Sequence, residues 1–174
     1  MVCIGMKVIE TDRLQLCHFT LNDAPFVLEL VNDPSWIQFI GDRGIRTLAQ
    51  AEEYLQTGPM ASYAENGFGL YLVQRQADDV RLGMCGLVKR PSLPHVDIGF
   101  AFLPQFTGQG YAFEAATAVL HHAHHDLNLS PIVAIVAPDN QRSIKLLQKL
   151  GLQFQKMISL AENQPEIMLF HPAV

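Results

Sequence analysis

Residues 103–116, LPQFTGQGYAFEAA, constrain the fold more than any other part of the chain. An apolar run from Ile98 to Leu103 stops at Pro104, which has no N–H to give to a strand ladder. Two glycines, Gly108 and Gly110, follow, and beyond them a long helical pattern begins. Glycine lets the backbone turn with no Cβ in the way, so successive N–H groups can converge on one concavity. The helix start adds its own unpaired N–H groups and the positive end of its dipole. Strand, glycine loop and helix start together form a cradle for a phosphate or diphosphate. Two other phosphate loops are excluded. A P-loop requires a Gly-Lys-Ser/Thr run, and the chain contains no Gly-Lys pair. A dinucleotide fingerprint requires a small residue where Phe113 stands and an acidic residue ending the next strand, but residues 132–136 run into Ala-Pro.

Period and punctuation place the other elements around this loop. Residues 13–18 alternate as a half-buried strand, and Asn22-Asp23-Ala24-Pro25 opens a helix that Asn32-Asp33-Pro34 closes. A loop with Trp36, Phe39 and Ile40 leads to Thr47 and Gln50, a capping box for a second helix ended by Gly58-Pro59. Residues 68–74 and 81–89 form a hairpin across a polar tip at 76–79, with Gly83 and Gly86 marking bulges or close packing. Residues 95–103 are the strand that feeds the glycine loop. On the following helix, Phe113, Ala116, Leu120 and Ala123 are expected to face the sheet. A strand at 132–137, another helix, and two strands near 152–160 and 166–171 complete the chain. Three or more strands joined by short turns imply an antiparallel half-sheet.

The second chemistry-bearing stretch is Pro138-Asp-Asn-Gln-Arg-Ser143 and the helix after it. Asn140 reads as an N-cap, Ile144, Leu147 and Leu150 as the buried stripe, and Gly151 as the stop. Arg142, Lys145 and Lys149 form a small basic group that suits either a phosphate-bearing ligand or an exposed helix face.

The glycine loop resembles the acyl-CoA-binding motif of GNAT-type N-acetyltransferases, Gln/Arg-x-x-Gly-x-Gly/Ala, here on Thr107, Gly110 and Ala112. The following Tyr-Ala-x-Glu-Ala, the early ETDRL and the later NDP resemble the RimJ/RimL branch, which acetylates ribosomal-protein N-termini. Asn140-x-x-Ser143 before a helix ending Leu-Gly-Leu matches the usual partner of the glycine loop. The resemblance implies an α/β (α+β) fold: a mixed, mostly antiparallel sheet of about seven strands, flanked by about four helices, with splayed central strands admitting acyl-CoA. It implies acetyl-CoA as acyl donor, held by Phe102, Leu103, Thr107, Gly108, Gln109, Gly110, Tyr111, Ala112, Asn140 and Ser143. An acceptor wall would include Trp36, Phe39 and His95. Two departures stand out. The first motif position is Thr107 rather than Gln or Arg, and Leu147 occupies the place of a thiol-protonating tyrosine. In this branch a serine at the position of Ser143 has that role.

The implied reaction sets modest chemical demands. An α-amino group, with a reference pKa of about 8, is already partly neutral near pH 7, whereas a lysine side chain at about 10.4 needs more help. Asp97 is the candidate base, acting directly or through a water, and His95 a candidate proton relay. A backbone N–H near Phe102 or Leu103 is the expected oxyanion donor. Transfer is expected to be direct, since none of the cysteines lies in either motif. The acceptor is a primary amine, of a protein N-terminus or a small molecule. The alternative is a catalytically silent domain that senses acyl-CoA, and a further rival is an ATP-binding protein.

Composition narrows the setting. A chain of 174 residues with 49% apolar content suits one domain, residues 1–174. No apolar run reaches the roughly 18 residues of a membrane span, and the N-terminus lacks the basic and apolar regions of a signal peptide. The net charge of −5 argues against nucleic acid. Cys3, Cys17 and Cys85 suggest neither a metal pair nor a disulfide framework, so a reducing, cytoplasmic setting is expected. The His121-His-Ala-His-His125 run lacks a third ligand pattern, and no metal is expected. A monomer or a homodimer is expected.

Overall fold

The computed structural model describes residues 3–174. Two antiparallel sheets form its centre. The first has five strands in sequential order: β1 (Lys7–Glu10), β2 (Leu14–Cys17), β3 (Leu70–Arg75), β4 (Arg81–Val88) and β5 (Asp97–Phe102). The second has β8 (Ile167–Pro172) between β6 (Ala134–Val136) and β7 (Leu152–Ile158). A single parallel bridge, Asp97 to Val133, joins them. The expected mixed, mostly antiparallel class holds, with eight strands among the described residues rather than about seven. The strand that sequence reading missed is β1, whose four residues are too short to show a period.

That strand also corrects the cysteine reading. β1 folds back on β2 with Lys7 opposite Cys17, and Cys3 and Cys17 form a disulfide across a Cα separation of 6.4 Å. A pair separated by 14 positions is brought together by the hairpin, which spacing alone does not reveal. The cysteine argument for a reducing compartment therefore falls away. Cys85 remains a buried free thiol in β4.

Helices cover both faces of the five-stranded sheet. On one face lies α5 (Tyr111–His125), with Ala115, Ala116, Val119 and Ala123 fully buried against β4 and β5. The stripe is thus shifted from the expected one: Phe113 and Leu120 lie on the flank, half-buried. Alanines let the helix axis sit close to the sheet, so the small residues, not the large ones, mark the inner face. On the other face, α1 (Ala24–Val31) and α3 (Leu48–Leu55) pack Val27, Leu30, Ala51 and Leu55 onto Leu72 and Met84. Gly83 and Gly86 serve close packing as expected: a Cβ on either would lie 2.2 Å from a neighbouring carbonyl oxygen. A bulge at Leu82 turns that side chain toward the α5 face.

The described residues hold six α-helices where about four were expected, for two local reasons. Asp33 does not simply end a helix. Its carboxylate accepts from the Ser35 N–H at 3.0 Å and, with Pro34 in the first turn, starts α2 (Pro34–Phe39) within the expected loop. Gly58-Pro59 does not end α3 either. A π turn, Gln56–Met60, carries the chain through Pro59 into α4 (Ala61–Asn66), which stops at left-handed Gly67. The wider i→i+5 turn leaves room for a proline that a regular helix would reject. The capping box of α3 is as expected: Thr47 Oγ1 accepts from the Gln50 N–H, and the Gln50 side chain accepts from the Thr47 N–H at 3.1 Å.

Candidate active site

The gap between the sheets is built by hydrogen bonds that stop. The Ile98 N–H donates to Val133 O at 2.9 Å and the Val133 N–H to Val96 O at 3.0 Å. Beyond that point β5 pairs only with β4, and β6 only with β8. Successive N–H groups of a strand alternate in direction. The Ile98 N–H points to β6 and the Leu103 N–H donates to Leu82 O at 3.0 Å on the opposite side. The N–H groups of Phe100 and Phe102 therefore point into the gap. This corrects the oxyanion-donor expectation at Leu103, whose N–H is engaged in the sheet, and leaves Phe102. Around the gap opens a cleft of ≈ 1180 Å³.

At the open end of β5 the chain passes through a short 3₁₀ turn, Pro104–Phe106, into the glycine loop. Gly108 (φ +77°) and Gly110 (φ +82°) are left-handed, conformations that non-glycine residues adopt at a cost of about 1–2 kcal/mol. Gly110 caps α5 without a side chain, so no cap oxygen occupies the first N–H groups of the helix. Gly108, Gly110, Tyr111 and Ala112 line the cleft, and so does Thr107, whose hydroxyl donates to Pro104 O at 2.8 Å. Gln109 does not line it: its side chain donates to Gln105 O at 3.0 Å and its carbonyl accepts from Arg13. Leu103 is buried in the second core rather than in the wall.

A clamp that sequence reading did not assign holds this loop. Glu114, in the first turn of α5, accepts from the Thr11 hydroxyl at 2.6 Å, the Arg13 N–H at 3.0 Å and Arg13 Nε at 2.7 Å. Arg13 Nη1 donates to Gln109 O at 3.0 Å, and its guanidinium lies over the Tyr111 ring. Burial alone would raise the Glu114 pKa, but the hydrogen bonds from Thr11 and Arg13 hold it below the usual value. The signal was present in ETDRL and in the glutamate after the glycines, but only folding joins them.

Across the gap stands α6 (Gln141–Lys149). Asn140 caps it as expected, its Oδ1 accepting from the Ser143 N–H at 3.2 Å. Ser143 lines the cleft half-buried, and its hydroxyl has no hydrogen-bond partner among the described residues. Leu147, 1% exposed, completes the wall. Of the basic group, Arg142 and Lys149 line the cleft, and Lys149 lies over the Phe113 ring; Lys145 is not in the wall.

At the closed end lies Asp97, only 1% exposed and so buried rather than facing solvent. Its Oδ1 accepts from Arg90 Nε at 2.9 Å, and its Oδ2 is buried without a partner among the described residues. Burial pushes this carboxyl up to about 6, with Arg90 pulling the other way. From α2, Trp36 and Phe39 line the same cleft, and the indole N–H of Trp36 is also buried without a partner among the described residues. His95 is elsewhere: exposed, outside the cleft wall, its ring edge-on to His171 at 5.8 Å. On α5, His121 and His125 stack at the surface, while His122 turns inward and pairs with Asp126 at 2.7 Å. Among the described residues no group of three or more side chains is placed to hold a metal ion. No helix among them is long and apolar enough to cross a membrane.

A strand-edge gap, a glycine cradle at a helix start and a buried carboxylate meet around one cleft, and comparison with known proteins gives the class of protein. The profile of the acetyltransferase (GNAT) domain matches residues 13–153, and the chain belongs to that family of acetyltransferase enzymes. The uncharacterized N-acetyltransferase p20 of Bacillus licheniformis is 26% identical over 155 residues, covering 88% of this chain and 86% of p20. The fold is shared with an acetyltransferase from Agrobacterium tumefaciens (TM-score 0.82, 22% identity, 100% and 98% of the two chains). It is shared too with RimL, a ribosomal L7/L12 α-N-protein acetyltransferase solved in complex with coenzyme A (TM-score 0.80, 16% identity, 94% and 96%).

Proposed function

We propose that the protein, as one transferase domain over residues 1–174, acetylates a primary amine by direct transfer from acetyl-CoA. The observation that carries this reading is the strand gap itself, open at its glycine-loop end and closed over the buried Asp97. The residues present fit the cosubstrate. The bare N–H groups at the start of α5 and the backbone of Gly108 and Gly110 suit its diphosphate, with Arg142 and Lys149 nearby. The unpaired gap edge of β5 suits its pantetheine arm. When bound, acetyl-CoA supplies an acetyl group activated as a thioester.

The chain's own groups supply the rest. Asp97 takes the proton that the amine loses as its N–C bond forms, and a carboxyl raised to about 6 is ionised yet more basic than an ordinary aspartate at pH 7. The Phe102 N–H suits the carbonyl oxygen as charge develops there. Ser143 donates its hydroxyl proton to the sulfur as the C–S bond breaks, and solvent reprotonates it. Leu147 and Ile98 keep water from the reacting atoms.

The test is a thermal-shift titration with acetyl-CoA, CoA and ATP, followed by thiol release with a panel of amines. A ligand that binds only the folded state at about 100 times its Kd adds roughly 2.7 kcal/mol. Stabilisation by both CoA species but not by ATP, with thiol release on adding amine, is the expected result. Stabilisation without thiol release from any amine would make this an acyl-CoA-binding domain instead.

A further inference from the structure

The acceptor half of the cleft holds hydrogen-bond donors that the protein does not use. Arg43 lies in the loop between α2 and α3. The other charges of that loop, Asp42 and Arg46, pair with each other, and Arg46 also donates to Asn32 Oδ1 at 2.8 Å. Arg43 has no acidic partner among the described residues, lines the cleft, and stands over the Tyr54 ring at 5.6 Å. Tyr54 lines the cleft from α3, and its hydroxyl has no hydrogen-bond partner among the described residues. Arg90 engages Asp97 through Nε, and neither Nη group has a hydrogen-bond partner among the described residues. The buried indole N–H of Trp36 belongs to the same wall.

The acids nearby do not cancel these donors. One oxygen of Asp33 accepts both the N–H and the hydroxyl of Ser35, and one oxygen of Asp97 accepts from Arg90. Glu166, on the far side at the start of β8, is exposed to solvent. Burial raises the Tyr54 hydroxyl pKa while Arg43 and Arg90 both oppose it, so both guanidiniums lie within electrostatic reach of that hydroxyl. A planar anion with two oxygens is the group that such forked donors recognise.

Resting on the acetyl-transfer reading, we infer that the acceptor amine carries a carboxylate close to its nitrogen, as a free amino acid does. Arg43, the Nη groups of Arg90 and the Tyr54 hydroxyl hold the carboxylate. Arg90 then bridges the two ends of the substrate, one edge on the carboxylate and Nε on Asp97 beside the amine. Polyamines, and N-terminal residues whose carboxyl is in a peptide bond, offer the site no such anion.

The experiment compares the common amino acids with their carboxamides, alongside spermidine and a short peptide, at saturating acetyl-CoA. Two readouts are used: thiol release, and calorimetric binding to the CoA-loaded protein. At least one amino acid should exceed its carboxamide about tenfold in kcat/KM or in affinity, the size of one charge-assisted hydrogen bond. Arg43→Gln should collapse that ratio toward one, mainly through KM. Equal or better use of carboxamides, spermidine or peptide would overturn the inference, as would a ratio unchanged in Arg43→Gln. Calorimetric preference for the acid without thiol release would keep the carboxylate site while sinking acetyl transfer. Absence of binding by every amino acid would overturn the carboxylate site while leaving the acetyl-CoA arm intact.

Discussion

The two arms of the cleft are built in opposite ways. The donor arm is nearly continuous in sequence: strand β5, the glycine loop and the start of α5 follow one another, and its glycine loop presents backbone to the cleft. The acceptor arm is assembled from side chains of α2, the following loop, α3, the end of β4 and the start of β5. Backbone cradles tolerate changes of side chain as long as the glycines stay, which is how Thr107 can stand in the loop's first position. Side-chain pockets have no such buffer. The donor arm should therefore fail when its conformation is disturbed, and the acceptor arm when a single group is removed.

The sharpest test of that contrast sits where the arms meet. Asp97→Asn should lower kcat/KM by about 10² to 10⁴ while leaving the CoA-induced thermal shift in place. The wild-type rate should rise with pH through about 6, where the Asp97 carboxyl ionises, and the variant should lack that limb. Stability has the opposite slope. The folded-state pKa lies above the ordinary aspartate value of 3.8, so the stabilising contribution is complete below that value and is lost as pH rises through about 6. A shift of this size corresponds to about 3 kcal/mol. Denaturation between pH 4 and 7 should show that slope in the wild type and a flatter one in Asp97→Asn. A variant with full activity would remove Asp97 from the chemistry.

Gly110→Val tests the donor arm. A Cβ at φ +82° is strained, and it would sit 3.3 Å from Arg13 Nη2. The expected result is a CoA Kd raised at least tenfold, roughly 1.4 kcal/mol or more, with acceptor preference unchanged. Glu114→Gln acts on the same loop from behind. It replaces a carboxylate held by Thr11 and Arg13 with an amide, and Arg13 is 45% exposed, so solvent weakens the pair. A loss of about 1 kcal/mol in stability and a CoA Kd raised several-fold are expected by urea denaturation and calorimetry. An unchanged Kd would mean that the glycines hold their shape without the clamp.

What was legible in the sequence follows the same division. The glycine loop, the Asn140 cap and the Thr47 box could be read because each is a local pattern whose partners lie within a few residues. Asp97 stood out as a candidate base through the family resemblance, but its burial and its bond to Arg90 could not be read. Residues Arg43 and Tyr54 carry no local motif and meet only through the packing of α3. His95 went astray because the strand starts at Asp97 rather than at residue 95, so strand alternation does not set its side chain beside Asp97. Pro59 misled for a related reason: a helix stop is a local rule, and the packing of the neighbouring helical turns overrides it with one wide turn.

Thr47→Ala carries the smallest effect and separates the arms most cleanly. Thr47 caps α3, far from the glycine loop, and its hydroxyl oxygen accepts the Gln50 N–H at 3.2 Å. Losing an N-cap of this kind costs about 1 kcal/mol, or roughly 2–4 °C in Tm for a chain of this size. The first turn of α3 then frays beside the loop that carries Arg43, while Ala51 and Leu55 still anchor the helix to the core. Acceptor KM should rise a few-fold, and the thermal shift produced by CoA should stay at its wild-type size. If the CoA shift fell in step with Tm, the two arms would be coupled through Leu72 and Met84, which meet α3 from the five-stranded sheet, and the division between them would not hold.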